Sequence, residues 1–134
     1  MTYQLTPIGH VESSLADRAA APKQGRETGM EAWLVFTDDV AAGLGDLAAG
    51  TDVLLLTWLH QADRDTLAVH PQDNPDNPLT GVFSTRSADR PNPIGLHRVH
   101  VVAVDGTRVR VRDLEAVDGT PIVDVKPVLG GWDR

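Results

Sequence analysis

The sequence predicts an all-β protein, an antiparallel barrel or sandwich, and three observations carry that expectation. Seven short apolar or β-branched runs are separated by Pro, Gly, Asp and Asn. Only one stretch has helical periodicity, so no connection supplies the long helical crossover that parallel strands need. Between two of the runs stands Asp105-Gly106, a dipeptide that predicts a hairpin turn of type I′.

In chain order, the first expected strand is Glu31 to Phe36. A helix is expected over Asp38 to Ala49, where Val40, Leu44 and Leu47 recur at helical spacing behind a capping Asp, although Gly43 and Gly45 weaken it. Val53 to Leu59 is the most apolar strand, and Thr66 to Val69 is a short one. Pro71 to Pro78 contains Asn-Pro twice and reads as a loop. Gly81 to Ser84, Val99 to Val104, Arg108 to Val111 and Ile122 to Val125 complete the set. In Arg108-Val-Arg-Val-Arg112 the period of two turns Val109 and Val111 inward and three Arg outward.

With 134 residues the chain fits one domain spanning residues 1–134, of a size that buries its core without a metal or a disulfide. It has no Cys, which excludes thiolate metal sites and a Cys nucleophile. The apolar run from Val53 to Leu59 is far shorter than the ~20 residues of a membrane-spanning helix. The start, Met1-Thr-Tyr-Gln4, has no basic or apolar leader character. A soluble, cytoplasmic protein that does not enter membranes is therefore expected. The net charge of −7 argues against a generic nucleic-acid binder. The distribution is uneven, however: residues 1–81 hold twelve acids and four bases, whereas Val82 to Arg112 hold six Arg against Asp89 and Asp105. An anionic ligand should meet that segment.

The densest group of candidate site residues is Gly81 to Leu96, where a strand ending at Ser84 enters a loop carrying Arg86, Arg90 and Asn92, with Pro91 and Pro93 on either side of the Asn, and a strand resumes near Leu96. Two rigid Pro present that amide in one orientation at low entropic cost. His60 closes the most apolar strand, where a buried strand emerges. Among five His, His97 and His100 are the nearest to a metal pair, but i and i+3 on a strand face opposite ways, and no metal is expected. Asp124 and Lys126 share one face of the last strand, with Val123 and Val125 on the other. No Gly-x-Gly-x-x-Gly, phosphate-binding loop, Gly-x-Ser-x-Gly or His-Glu-x-x-His occurs.

Thr85-Arg-Ser-Ala-Asp-Arg-Pro-Asn-Pro-Ile-Gly-Leu96, followed by Asp113-Leu-Glu-Ala-Val-Asp-Gly-Thr-Pro-Ile-Val-Asp-Val-Lys-Pro127, resembles the TrmO (TsaA-like, YaeB) family. Pro7-Ile-Gly-His-Val-Glu-Ser13, Pro22-Lys-Gln-Gly25 and Trp58-Leu-His-Gln61 extend the resemblance over nearly the whole chain. It implies a single antiparallel β-barrel of the class VIII methyltransferases, acting as a homodimer. The reaction it implies uses S-adenosyl-L-methionine to methylate the exocyclic nitrogen of threonylcarbamoyladenosine beside the tRNA anticodon.

The cofactor contacts carried over by motif are Pro22, Lys23, Gln24, His60, Gln61, Arg86, Leu96, Ala116, Val117, Asp118 and Gly119. Arg90 and Asn92 are expected at the acceptor, with Asn92 orienting it and His60 or Asp124 as the base. Val128 stands where the family carries an aromatic, and the sequence stops at Arg134 where many bacterial members continue into a further domain. With the acidic balance, these departures keep open a small-molecule acceptor; a different class, a non-catalytic β-barrel module that binds the cofactor or a nucleoside, also stays open.

Overall fold

The computed structural model describes residues 1–16 and 30–130, so Pro22, Lys23 and Gln24 lie outside the described residues. The strands are β1 (Gly9–Glu12), β2 (Glu31–Phe36), β3 (Asp52–Trp58), β4 (Ala68–Val69), β5 (Thr80–Gly81), β6 (Ile94–Asp105), β7 (Arg108–Arg112) and β8 (Pro121–Pro127). Six of them pair antiparallel in the order β1-β2-β7-β6-β3-β8, and β8 pairs back onto β1, giving a closed barrel. β4 and β5 form a separate two-stranded sheet.

Alternation fills the interior. Val11, Leu34, Val53, Leu55, Val99, Val101, Val109, Val111 and Ile122 are buried in one cluster drawn from all six strands. Each such side chain contributes about 1.5–3 kcal/mol by leaving water. The Arg108 to Arg112 strand behaves as its period requires, with Val109 and Val111 fully buried. On β8 the expected faces are displaced. The register with β3 shifts between Leu56 and Thr57, pairing Leu56 with Asp124 but Thr57 with Ile122. The extra residue of this bulge makes Ile122 and Val125, rather than Val123 and Val125, the residues packed on the core. Asp124 and Lys126 do share a face, with Nζ and Oδ2 3.0 Å apart.

Other local expectations are corrected by tertiary context. The expected helix over Asp38 to Ala49 is a 3₁₀ helix over Asp38–Leu44, as two glycines in the stretch make it a poor α-helix. Val40, Leu44 and Leu47 nonetheless pack against the core. Gly81 to Ser84 is not a strand. It becomes one strand residue and a 3₁₀ turn, Val82–Ser84, whose Val82 is buried. The hairpin loop is Gly106-Thr107 rather than Asp105-Gly106, because Asp105 still pairs with Arg108. Gly106 has φ +61° while Thr107 does not enter the left-handed region, which is the type II′ pattern. The Val99 strand starts earlier, at Ile94, because Gly95 and His97 continue its inward face.

His97, beside Gly95, makes a polar station with Thr57 inside the barrel wall. Thr57 is fully buried, and its Oγ1 is hydrogen-bonded to His97 Nε2 at 2.8 Å. A Cβ on Gly95 would collide with Thr57 Oγ1 and approach His97 Nε2 to 2.7 Å, so only glycine fits against the pair. Gly95→Ala should cost about 1–3 kcal/mol in denaturant unfolding, since both neighbours are held in place. Burial disfavours the imidazolium and pushes His97 down to about 4. The unfolded chain then binds the proton that the folded chain refuses. Stability should therefore be full above pH 6.5 and fall by about 3 kcal/mol as the pH drops toward 4. Melting temperatures across that range check this, and His97→Gln should flatten the loss.

A candidate ligand site at one rim of the barrel

Antiparallel pairing assigns every connection to one end or the other. β1 ends where β2 begins, β3 ends where β6 and β8 begin, and β7 ends at the β2 start. The connections after β1, β3 and β7 therefore leave from one rim. At the opposite rim lie the Gly106-Thr107 turn and the 3₁₀ connection. His60, Gln61, Arg86, Arg90, Asn92 and Ala116 to Gly119 all sit in two of the long connections, 59–93 and 113–120.

A cleft of about 100 Å³ opens between these connections, lined by Leu59, His60, Gln61, Ala62, Ala88, Glu115, Ala116, Val117 and Thr120. Four of the expected cofactor contacts, His60, Gln61, Ala116 and Val117, thus meet in one place although over 50 residues separate the two pairs. Of the other expected contacts among the described residues, Arg86, Leu96, Asp118 and Gly119 fall elsewhere. Asp118 and Gly119 form the turn that enters β8. Asp118 Oδ1 accepts from the Ser13 amide at 3.1 Å, and Gly119, at φ +85°, donates its amide to the Val11 carbonyl at 2.7 Å. Leu96 is half exposed and lies on β6 between the inward Gly95 and His97. Asp124 lies on β8 in its ion pair with Lys126. None of these four lines the cleft.

The Arg-rich loop is internally bonded. Arg90 donates from Nε to the Ser87 carbonyl at 2.8 Å and from Nη2 to the carbonyls of Val82 and Thr85, each at 2.6 Å. This guanidinium holds the loop that carries Ala88 to the cleft. Asp89 Oδ1 accepts from the Asp63 amide at 2.8 Å, and the Arg90 amide donates to the Asp63 carbonyl at 3.0 Å, tying this loop to the segment after β3.

Arg64, which no sequence signal distinguishes from a solvated base, completes the tie. Its Nε donates to the Pro91 carbonyl at 2.7 Å, its Nη2 donates to Asn92 Oδ1 at 3.2 Å, and its guanidinium lies 5.1 Å from the Trp58 ring centroid. Because Arg64 claims the amide oxygen, the Asn92 –NH₂ is turned to the other side. Arg86 and His60 are exposed and make no hydrogen bond or ion pair among the described residues.

Glu115 was also missed by the motif reading, although one acid between Leu114 and Ala116-Val117 is a visible break in an apolar run. Both of its carboxylate oxygens are buried and lack a hydrogen-bond partner. That burial raises its carboxyl above the usual range.

The outward bases are differently placed. Arg108 pairs with Glu12 at 2.9 Å and stacks over Trp33, Arg110 pairs with Glu31, and Arg98 pairs with Asp52 at 3.0 Å. His100 donates to the other Asp52 oxygen at 2.8 Å, holding that carboxyl below its usual range, while His97 points inward. Among the described residues no group of three or more His, Cys, Asp or Glu is arranged to hold a metal, and no helix is long and apolar enough to cross a membrane.

Fold and cleft together define a small antiparallel β domain whose candidate ligand site is built from connections at one rim. Residues 10–134 match the family model described as the tRNA-methyltransferase O N-terminal domain, and the chain belongs to that family. It is 39% identical over 122 residues to an S-adenosyl-L-methionine-binding protein of Archaeoglobus fulgidus, covering 91% of this chain and 86% of that one. A second A. fulgidus protein, described as a probable S-adenosyl-L-methionine-binding protein, is 39% identical over 127 residues, which are 95% of this chain but only 34% of the relative. The solved structure of TrmO from Pseudomonas aeruginosa superposes with a TM-score of 0.75 at 28% identity, over 96% of this chain and 57% of that one. The chain thus spans about a third of one curated relative and little more than half of the solved enzyme.

Arg90→Lys should loosen the rim, since one ammonium cannot serve three divergent carbonyls as the guanidinium fork does. Loss of charge-assisted bonds of this kind costs about 1.5–3 kcal/mol each. Faster proteolysis within residues 82–92, with the barrel still folded, is the expected outcome.

Proposed function

We propose that this domain binds S-adenosyl-L-methionine at the rim cleft and is an N-methyltransferase acting on the exocyclic nitrogen of threonylcarbamoyladenosine in tRNA. The observation that carries the reading is the convergence of His60, Gln61, Ala116 and Val117 on one cleft in a chain whose family match covers residues 10–134. The donor set suits this ligand. Apolar walls from Leu59, Ala62, Ala88 and Val117 fit a nucleoside face, and the orphaned Glu115 carboxylate calls for a ligand that brings hydrogen-bond donors. When bound, the cofactor supplies a methyl group on a positively charged sulfur, so the protein's task is alignment.

The residues divide that task. Arg90 and Arg64 fix the loop from Val82 to Asn92, which lowers the entropy lost on binding. Asn92, with its oxygen taken by Arg64, offers –NH₂ donors to an acceptor carbonyl such as that of a urea. Arg86, which has no partner among the described residues, is available to a carboxylate of the cofactor or of a threonyl-bearing acceptor. Of the two candidate bases, His60 lines the cleft and Asp124 does not, so His60 is the one to take a proton from the acceptor nitrogen.

A second reading, the same chemistry on a small-molecule acceptor, is favoured by one observation. Arg108 and Arg110 are paired with Glu12 and Glu31, so much of the basic strand that would meet tRNA phosphates is already neutralised. Incubation with methyl-labelled S-adenosylmethionine and either bulk tRNA or a metabolite extract separates the readings. Label in tRNA supports the first, label in the extract the second, and no label in either leaves a binding module. Arg86→Ala should weaken cofactor or acceptor binding by about 10- to 100-fold. Arg108→Ala, which removes an ion pair and a ring contact on the barrel wall, should leave binding unchanged in the same calorimetric titration.

A further inference from the structure

Glu115 is the described residue whose environment is least satisfied by the protein. Its two carboxylate oxygens are shielded from water, accept no hydrogen bond, and face no ion-pair partner among the described residues. The neighbouring positions are apolar or small: Leu114 is buried, Ala116 is buried, and the cleft beside it is walled by Leu59, Ala62, Ala88 and Val117. An ionised carboxylate in such a place is costly unless something arrives to pair with it. Glu115 is itself one of the residues that line the cleft, so an unsatisfied carboxylate belongs to that lining.

Two needs restrict what that occupant group must be. Among the described residues both oxygens lack a donor, and the negative charge lacks a counter-charge. A ribose diol supplies donors without charge. A sulfonium supplies charge without an N–H or O–H. An ammonium supplies both. We infer that Glu115 binds the α-ammonium of the methionyl end of S-adenosylmethionine, fixing which end of the cofactor lies against the 113–120 connection. This rests on the cofactor reading above. It also separates recognition of the cofactor from its chemistry, because the ammonium is unchanged by methyl transfer. Glu115 would then hold substrate and thioether product alike, with selection between them left to other residues.

Isothermal titration of the full chain with three probes tests the inference: S-adenosylmethionine, S-adenosylhomocysteine, which keeps the ammonium but has a neutral sulfur, and 5′-methylthioadenosine, which keeps the nucleoside and has no ammonium. Glu115→Gln should weaken the first two by a similar factor, about 10- to 100-fold, and leave the third within about twofold. Glu115→Asp, which keeps the charge on a shorter stem, should fall between wild type and the Gln variant for the first two. Without ligand, Glu115→Gln should melt at or above the wild-type temperature, because an unpaired buried charge has been removed.

Equal weakening of all three probes overturns the inference in favour of a nucleoside contact. Weakening of S-adenosylmethionine alone assigns Glu115 to the sulfonium, and no weakening, or a lower ligand-free melting temperature, assigns it a structural part. If the wild-type chain binds none of the probes, the cofactor reading itself fails, and this inference with it.

Discussion

Everything in this domain follows from a hydrogen-bonded ladder that closes on itself. With β8 returning to β1, none of the six strands is left as a free edge, and every second side chain must enter a narrow interior. That interior is filled by apolar side chains, mostly Val and Leu. Chemistry is displaced to the connections, and antiparallel pairing gathers the long ones after β1, β3 and β7 at a single rim. The barrel is thus a frame that brings residues 59–62 next to residues 115–120. The polar exception in the wall, Thr57 with His97 and Gly95, lies close to the same end of β3 and is satisfied internally.

A site made of loops needs those loops to be stiff, and here two guanidiniums provide the stiffness. Arg90 gathers carbonyls from Val82, Thr85 and Ser87, while Arg64 links Trp58 at the end of β3 to Pro91 and Asn92. Each replaces the regular ladder that a loop lacks with charge-assisted bonds to backbone oxygen. Beside these bonded groups the carboxylate of Glu115 is buried without a partner, on a residue that lines the cleft where other candidate contacts converge. A buried carboxylate left without a partner beside a cleft marks a candidate binding site.

Much of this was legible in the residues. Alternation in Arg108 to Arg112 placed Val109 and Val111 inside, and the i, i+3 argument correctly set His97 and His100 on opposite faces. The motif reading brought His60, Gln61, Ala116 and Val117 forward, and the fold unites them. What was hidden depended on partners distant in sequence. The Gly81 to Ser84 run looked like a strand because nothing local reveals that Arg90 will take the Val82 carbonyl. Likewise the β8 bulge is set by its register against β3, which alternation within β8 cannot show. Arg64 is inconspicuous among Asp63 and Asp65, yet its role is defined by Trp58, Pro91 and Asn92. The six Arg of Val82 to Arg112 suggested a surface for an anionic ligand, whereas Glu12 and Glu31 on neighbouring strands already occupy Arg108 and Arg110.

The central claim is that the rim cleft, and not another depression of the surface, holds S-adenosylmethionine. A rival exists on the barrel wall, where Glu12, Ser13, Ser14, Glu31, Ala32, Trp33 and Arg110 line a groove of about 420 Å³, larger than the cleft. Size favours that groove, but its charged groups already have partners, Arg110 with Glu31 and Glu12 with Arg108. Amide chemical-shift mapping during titration with S-adenosylmethionine decides between them directly. Saturable shifts concentrated at residues 59–62, 88 and 114–120 are the expected result, whereas shifts centred on 12–14 and 31–33, or none at saturating ligand, would contradict the placement of the site.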